Sequence, residues 1–141
     1  MIGPTHLLFA LAITRLLGLP VLYGMVGGVV PDTDILLDAG FPFTHRGIVH
    51  TPVAAVAAAA AVYLVGGRRD PAVSLGAGWL SHLFLDTFTY SGVHWLFPLR
   101  ADLSFGLVGY DSVTANLGIM VLSLAAAAGW HHRRRVMRWT R

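Results

Sequence analysis

The sequence contains no cysteine, no lysine and no glutamate. Without cysteine the chain can form no disulfide, no thiolate metal site and no cysteine nucleophile, so any metal ion would have to bind histidine and aspartate. Charged residues are scarce, at 12% of the 141 residues, and their acids are all aspartate and their bases all arginine. A hydrophobic fraction of 55% and a mean hydropathy of +0.65 exceed those of soluble domains and predict a protein of the lipid bilayer.

Five apolar segments predict an all-α fold, a polytopic membrane helix bundle with about five transmembrane or half-depth helices. The segments are approximately Pro4–Leu17, Val21–Val30, Ile48–Val65, Pro71–Thr89 and Ser112–Trp130. The second segment is too short to cross a hydrocarbon core of roughly 30 Å as a full span. We expect residues 1–141 to form a single integral membrane domain, whose first segment is a retained helix and not a signal peptide. The aromatic stretch Gly92–Gly109 is expected to lie along the interface as a re-entrant loop.

The placement of arginine predicts the orientation in the cell membrane. If the segments alternate, Arg15, Arg68, Arg69 and the C-terminal arginines share one side, and the positive-inside rule puts the N-terminus outside and the C-terminus in the cytoplasm. The C-terminal "HHRRRVMRWTR" is then an anchor at anionic lipid, and we expect no nucleic-acid partner. This orientation gathers eight polar side chains at the non-cytoplasmic face: His6, Asp32, Asp34, His45, His50, His82, Asp86 and His94.

The strongest local pattern is the pair His82 and Asp86, which lie four residues apart in "WLSHLFLDTFTYSGVH". On a helix this spacing puts both side chains on one face, where they could chelate an ion or form a hydrogen bond that ties two helices together. Asp32, in "GGVVPDTDILLD", is a second ligand candidate, although an Asx turn would explain it too. Asp34 in the same stretch is a candidate general base or an acceptor behind the ligands.

The stretch "HRGIVHT" places His45, Arg46 and His50 at the start of an apolar segment. The two histidines suit metal ligation if one lies in the loop and the other in the first helical turn. The planar guanidinium of Arg46 suits phosphate oxygens, although the side chain could instead snorkel to lipid headgroups. His6 and His94, each taken alone, would be ordinary interfacial side chains.

The combined count favours a metal site over these separate explanations. Five histidines and three aspartates exceed the ligands of one ion, which predicts two zinc ions, with manganese or iron as alternatives. Paired ions hydrolyse phosphoesters, so we predict a metal-dependent hydrolase acting on a lipid headgroup or another anionic phosphoester at the outer bilayer surface. The alternatives are a divalent-cation transporter and a metal-binding membrane protein without catalysis.

Four motifs together resemble the YdjM-like family of membrane-bound metal-dependent hydrolases: "PTHLLFALAI", "GGVVPDTDI", "HRGIVHT" and "GWLSHLFLDTFTYSGVHWLFPL". The resemblance covers residues 3–99 and extends distantly to zinc-dependent phospholipase C, which holds zinc ions on histidine and aspartate. It implies ligand roles for His6, Asp32, His45 or His50, His82, Asp86 and His94. The second His-x-x-x-Glu helix pair of the soluble enzymes has no counterpart after His94, which argues against a third ion.

Overall fold

Helices form most of the chain, for which the computed structural model describes residues 1–37, 46–99 and 103–139. Two 3₁₀ helices, Val30–Leu37 and Ile48–His50, flank the gap between the first two ranges. These ranges contain helices and no strand, so the all-α prediction is confirmed for them; their β structure is limited to two isolated bridges. They contain five α-helices: α1 (Gly3–Leu16), α2 (Val21–Val29), α3 (Pro52–Gly66), α4 (Arg69–Thr87) and α5 (Val113–Trp139).

These helices match the five predicted segments closely, with four differences at their ends. Helix α3 begins at Pro52 and not at Ile48, because Ile48–His50 form a separate 3₁₀ helix and the extended Thr51 caps α3 by accepting from the Ala54 N–H. The chain continues past Val29 as the 3₁₀ helix Val30–Leu37 and does not stop at Pro31. Proline has no backbone N–H, but it is tolerated here because the N–H groups of a first helical turn have no partner within the helix. Helix α4 begins at Arg69, two residues before Pro71, for the same reason. Helix α5 extends to Trp139 through the arginine-rich segment, since arginine is a good helix former.

Glycine allows α2 and α4 to pack backbone against backbone. A Cβ atom added at Gly78 would overlap the carbonyl oxygen of Gly24, and one added at Gly27 would overlap that of Leu75. Small residues at helix crossings are the usual means of close approach in membranes. The C-terminal end of α2 therefore lies against α4 and brings its backbone carbonyl groups within reach of α4 side chains.

The segment after α4 folds back over the end of that helix. Val93 exchanges two backbone hydrogen bonds with Leu103, and the indole Nε1 of Trp95 donates to Thr87 Oγ1 at 2.8 Å. The last turn of α4 is therefore covered by its own following loop. The expected location of this loop at the membrane interface stays a prediction.

Polar side chains fill much of the interior, and apolar side chains cover much of the surface. Leu64 and Val65, near the end of α3, are 81% and 91% exposed. The apolar core is small and consists of Ala55, Leu75, Trp79, Leu83 and Val93. Hydroxyl groups are buried around it, among them those of Thr5, Thr14, Ser74, Thr87 and Thr89. This distribution suits helices that are surrounded by lipid and held together by small and polar residues.

Among the described helices, α5 alone is long and apolar enough to cross a bilayer, over residues Val113–Trp130. Only 17% of that stretch is buried against the rest of the protein. Helix α3 is apolar but shorter. The predicted polytopic arrangement therefore does not follow from helix length.

The contact between α2 and α4 is tested by two alanine substitutions in α4. We expect Gly78→Ala to lower the melting temperature in detergent, measured by circular dichroism, because the new methyl group displaces the Gly24 carbonyl and such overpacking costs about 1–3 kcal/mol. Gly76→Ala is the matched control, since its Cβ would lie 3.4 Å from Ala59 Cβ and alanine is the better helix former. Equal stability of the two variants would contradict the close approach.

Candidate metal centre

Histidine and aspartate side chains from four helical elements converge near the C-terminal end of α4. The first 3₁₀ helix contributes two of them, α4 contributes two, and α1 and the second 3₁₀ helix contribute one each. All are buried except Asp32, which is partly exposed. We name this set the His/Asp cluster; its members are His6, Asp32, Asp34, His50, His82 and Asp86.

Several atoms of the cluster lie at distances that suit a metal ion, and His50, His82 and Asp86 form one possible ligand group. His50 Nε2 and His82 Nε2 are 3.2 Å apart, and Asp32 Oδ1 lies 3.8 Å from the first and 3.6 Å from the second. Asp86 Oδ2 lies 3.6 Å from His82 Nε2. Ligand atoms around a tetrahedral zinc ion with bonds of about 2.1 Å are about 3.4 Å apart. The observed spacing is therefore close to that of a single divalent ion.

Hydrogen bonds behind the two imidazoles determine which of their nitrogens carry protons. His82 Nδ1 lies 3.0 Å from the carbonyl oxygen of Gly28, and His50 Nδ1 lies 2.9 Å from Asp34 Oδ2. Both partners can only accept, so both Nδ1 atoms donate. In the neutral rings the two Nε2 atoms then present lone pairs towards each other. Two such lone pairs beside two carboxylates form a set of acceptors that a bound cation would satisfy.

His6 lies on the other side of His82, with the two rings stacked at a centroid distance of 3.7 Å. Its Nε2 atom lies 3.1 Å from the Met1 carbonyl oxygen and 3.2 Å from Asp86 Oδ1, so Nε2 is the donor nitrogen. The buried Nδ1 atom of His6 has no hydrogen-bond partner among the described residues. A buried lone pair of this kind is expected to have a partner, and a metal ion would supply one. His6, Asp32 and His82 accordingly form a second possible ligand group, which overlaps the first.

Asp86 lies between the two ligand groups. Its Oδ1 atom accepts from the Met1 amine at 2.6 Å and lies beside His6, whereas Oδ2 lies on the His82 side. Oδ2 is also 3.3 Å from Nη2 of Arg46. Oδ2 could therefore bind an ion beside His50 and His82, while Oδ1 accepts from donors on the other side, and the nearby positive groups offset the cost of burying the carboxylate.

Arg46 points into the protein towards the cluster. Its guanidinium donates through Nη1 to Thr89 Oγ1 at 3.2 Å and to the Gly92 carbonyl at 3.0 Å, in addition to its contact with Asp86. The backbone of Arg46 is in the left-handed region, with φ of 66°, and its N–H donates to Asp34 Oδ2 at 3.0 Å. The guanidinium therefore lies beside the candidate site, and its predicted contact with phosphate oxygens stays a prediction.

The two aspartates of the first 3₁₀ helix have different environments. Asp34 is 2% exposed and accepts from His50 and from the Arg46 backbone, so its geometry fits an acceptor behind a ligand better than a general base. Asp32 lies at the open side of the cluster. Burial raises the pKa of Asp32, but the neighbouring imidazoles of His50 and His82 outweigh burial and bring the pKa below its ordinary value. Asp32 is therefore available as an anionic ligand.

A cavity of about 760 Å³ opens onto this side of the cluster. Asp32, Arg46 and Ser91 provide its polar lining, and Ile2 and Tyr110 provide apolar and aromatic surface. Because Asp32 belongs to both the cavity wall and the cluster, and Arg46 in the same wall contacts Asp86 of the cluster, a molecule in the cavity would lie next to the candidate ligands.

Two predicted ligands fall outside this arrangement. His45 lies outside the described residues. His94 is half-buried in the loop after α4 and belongs to neither ligand group. The sequence did not predict three other groups that support the site. Thr89 and the Gly28 carbonyl belong to no recognisable motif. Asn116 contacts the start of α1, and its signal was that it is the sole asparagine of the chain and lies in an apolar segment.

The fold and the cluster together define a helical membrane protein with side chains able to hold a metal ion. The chain belongs to the YdjM family of inner membrane proteins, whose family model matches residues 1–140. This match confirms the resemblance drawn from the four motifs and the predicted membrane location. No curated protein and no solved structure matches the chain, and the similarity to zinc-dependent phospholipase C stays a prediction.

The role assigned to Asp34 is tested by replacing its charge. We expect Asp34→Asn to weaken zinc binding about 10- to 100-fold, because an uncharged acceptor orients and polarises the His50 imidazole less well. Competition with a chromophoric zinc chelator measures the affinity. Asp70→Asn, an equivalent change at the exposed start of α4, should leave it unchanged. Equal zinc affinity in both variants would show that the Asp34–His50 contact has no bearing on metal binding.

Proposed function

We propose that this protein is a membrane-embedded, metal-dependent hydrolase that cleaves a phosphoester, with a lipid headgroup as its preferred substrate. One observation carries the proposal: two imidazole nitrogens and two carboxylate oxygens face one another beside a cavity that also presents an arginine. Cavities with a few convergent polar groups and apolar walls are the usual form of small-molecule sites.

The donor set suits zinc, with manganese or iron as alternatives, because it consists of imidazole and carboxylate without thiolate. His50, His82, Asp32 and Asp86 would hold the first ion. His6 and the shared ligand Asp32 would hold another, since both belong to the second ligand group and His6 Nδ1 has no hydrogen-bond partner among the described residues. When bound, such ions supply Lewis-acid activation of water and of the phosphoryl group.

The residues of the chain would position the substrate. Arg46 has one side towards Asp86 and the other in the cavity wall, so its remaining N–H groups can donate to phosphoryl oxygens. Thr89 and the Gly92 carbonyl hold the guanidinium of Arg46 in place. The side chain would therefore lose less conformational entropy when a substrate binds. Ile2 and Tyr110 would contact the less polar part of a lipid substrate.

The location of the cluster supports a substrate drawn from the membrane. The start of α5, the candidate span, contacts the start of α1, which holds His6. If α5 crosses the bilayer, the site lies near the surface where that helix enters, and the arginine-rich end lies about 27 Å away at the other surface. We propose that the shorter helices extend part of the way through the bilayer, with the N-terminus and the site on the non-cytoplasmic side, as the arginines predict.

The alternatives differ in where polar groups should lie. A transporter places them near the bilayer midplane and on a path to both faces. Here the candidate ligands gather at one end of α4, while Arg69 marks its other end. This distribution favours an enzyme over a cation transporter. A metal-binding protein without catalysis would use the same ligands as the enzyme. The activity assay below distinguishes the two, because only the enzyme would hydrolyse the substrate.

Metal content and lipid hydrolysis should be lost together. We expect purified protein to retain zinc and to release phosphorylated headgroups from phosphatidylglycerol vesicles, followed by ³¹P NMR. His82→Ala should reduce the rate more than about 100-fold, because even the loss of a group behind a ligand costs about 10- to 100-fold. His131→Ala, in the C-terminal segment of α5, is the matched control and should retain both properties.

Each other result has a distinct meaning. Zinc binding without hydrolysis of phosphatidylglycerol or of bis(p-nitrophenyl) phosphate would support a non-catalytic metal protein. Zinc uptake into protein-containing vesicles would support the transporter. Retention of zinc and activity in His82→Ala would exclude the cluster as the site.

A further inference from the structure

We propose that Asn116 is a positioning residue that joins the candidate membrane span α5 to the metal centre through the first turn of α1. This inference rests on the proposed function for its consequence, the placement of His6 beside the other ligands. Its structural basis, a fully bonded amide between two helices, is independent of that function.

Asn116 is 2% exposed and forms four hydrogen bonds. Its Oδ1 atom accepts from Thr5 Oγ1 at 2.7 Å and from the Ile2 N–H at 3.2 Å. Its Nδ2 atom donates to the carbonyl oxygens of Tyr110 and Ser112 at 2.9 and 2.8 Å. A carboxamide has two lone pairs and two N–H groups, so the whole hydrogen-bonding capacity of this side chain is used.

These contacts fix the part of α1 that enters the site. Ile2 and Thr5 flank Gly3, whose added Cβ would lie 4.0 Å from Asp32 Oδ2, and Thr5 directly precedes His6. Ile2 precedes α1 as its N-cap residue and has no side chain that could cap the helix. Asn116 of another helix accepts from the Ile2 N–H, which in a capping box would donate to a side chain at the third helical position.

The same side chain also fixes the cavity wall. Ile2 and Tyr110 both line the cavity beside the cluster, and Asn116 bonds to the backbone of both. A shift of the amide would therefore move the cavity wall and His6 together. Helix α5 would then contribute to the reaction by holding ligand and substrate surfaces in register, in addition to crossing the membrane.

The experiment compares Asn116→Leu and Thr5→Val with Ser123→Ala, a control at another buried polar position of α5. Hydrogen exchange of residues 2–8 is followed by mass spectrometry in the metal-free protein. Cobalt(II) is then titrated, with its visible spectrum reporting the ligand field. We expect first-turn exchange to rise at least about 10-fold in both test variants and cobalt affinity to fall about 10-fold, with an altered spectrum. Ser123→Ala should match the wild type.

The combined variant Thr5→Val/Asn116→Leu should be no worse than Asn116→Leu alone, because both changes remove one shared hydrogen bond. Unchanged exchange of residues 2–8 in both single variants would overturn the proposal. An unchanged cobalt spectrum with increased exchange would overturn the link to the metal centre. If Asn116→Leu does not fold, Thr5→Val decides alone. If the wild type binds no cobalt, the proposed function fails, while the exchange data still decide whether Asn116 holds the first turn.

Discussion

The close approach of two imidazoles to two carboxylates is the constraint on which much of this structure depends. The Nε2 atoms of His50 and His82 are 3.2 Å apart and lie beside Asp32 and Asp86, and in the neutral rings both nitrogens are acceptors. Buried groups of like character cost free energy unless a positive charge or a donor lies among them. Arg46 and the Met1 amine supply part of that charge through their ion pairs with Asp86. A divalent cation between the two imidazoles would supply the rest.

The packing of the helices serves this arrangement. Glycines at the crossing of α2 and α4 bring the Gly28 carbonyl to His82 Nδ1, which leaves the opposite nitrogen facing the cluster. Asp34 accepts in the same way from His50 Nδ1. The contact of His82 with Gly28 would be lost if α2 and α4 stood farther apart, so close backbone approach and metal chemistry are linked. The polar interior follows from the same requirement, because buried donors and acceptors must be paired while lipid solvates the apolar exterior.

The sequence predicted the helices well because apolar runs and their proline and glycine boundaries report local preferences. It also predicted that His82 and Asp86 lie close together, because a spacing of four residues places two side chains on the same face of a helix whatever the tertiary structure. It predicted Asp32 as a ligand and Asp34 as a general base or an acceptor behind the ligands, but it could not choose between the two roles of Asp34, which depend on the contact of that carboxylate with His50. Nor could it anticipate the inward direction of Arg46, which depends on a left-handed backbone and on Asp86 from a distant helix. Asn116 carried one signal, a lone amide in an apolar segment, but its partners lie more than 100 residues away in the chain.

Anomalous scattering from crystals of the zinc-loaded protein tests the central claim most directly. The account predicts a zinc peak about 2.0–2.2 Å from Nε2 of both His50 and His82 and from a carboxylate oxygen of Asp32 and of Asp86. Zinc bound solely at the histidines of the C-terminal segment would contradict it. A direct His50–His82 hydrogen bond that persists in zinc-saturated crystals would contradict it as well.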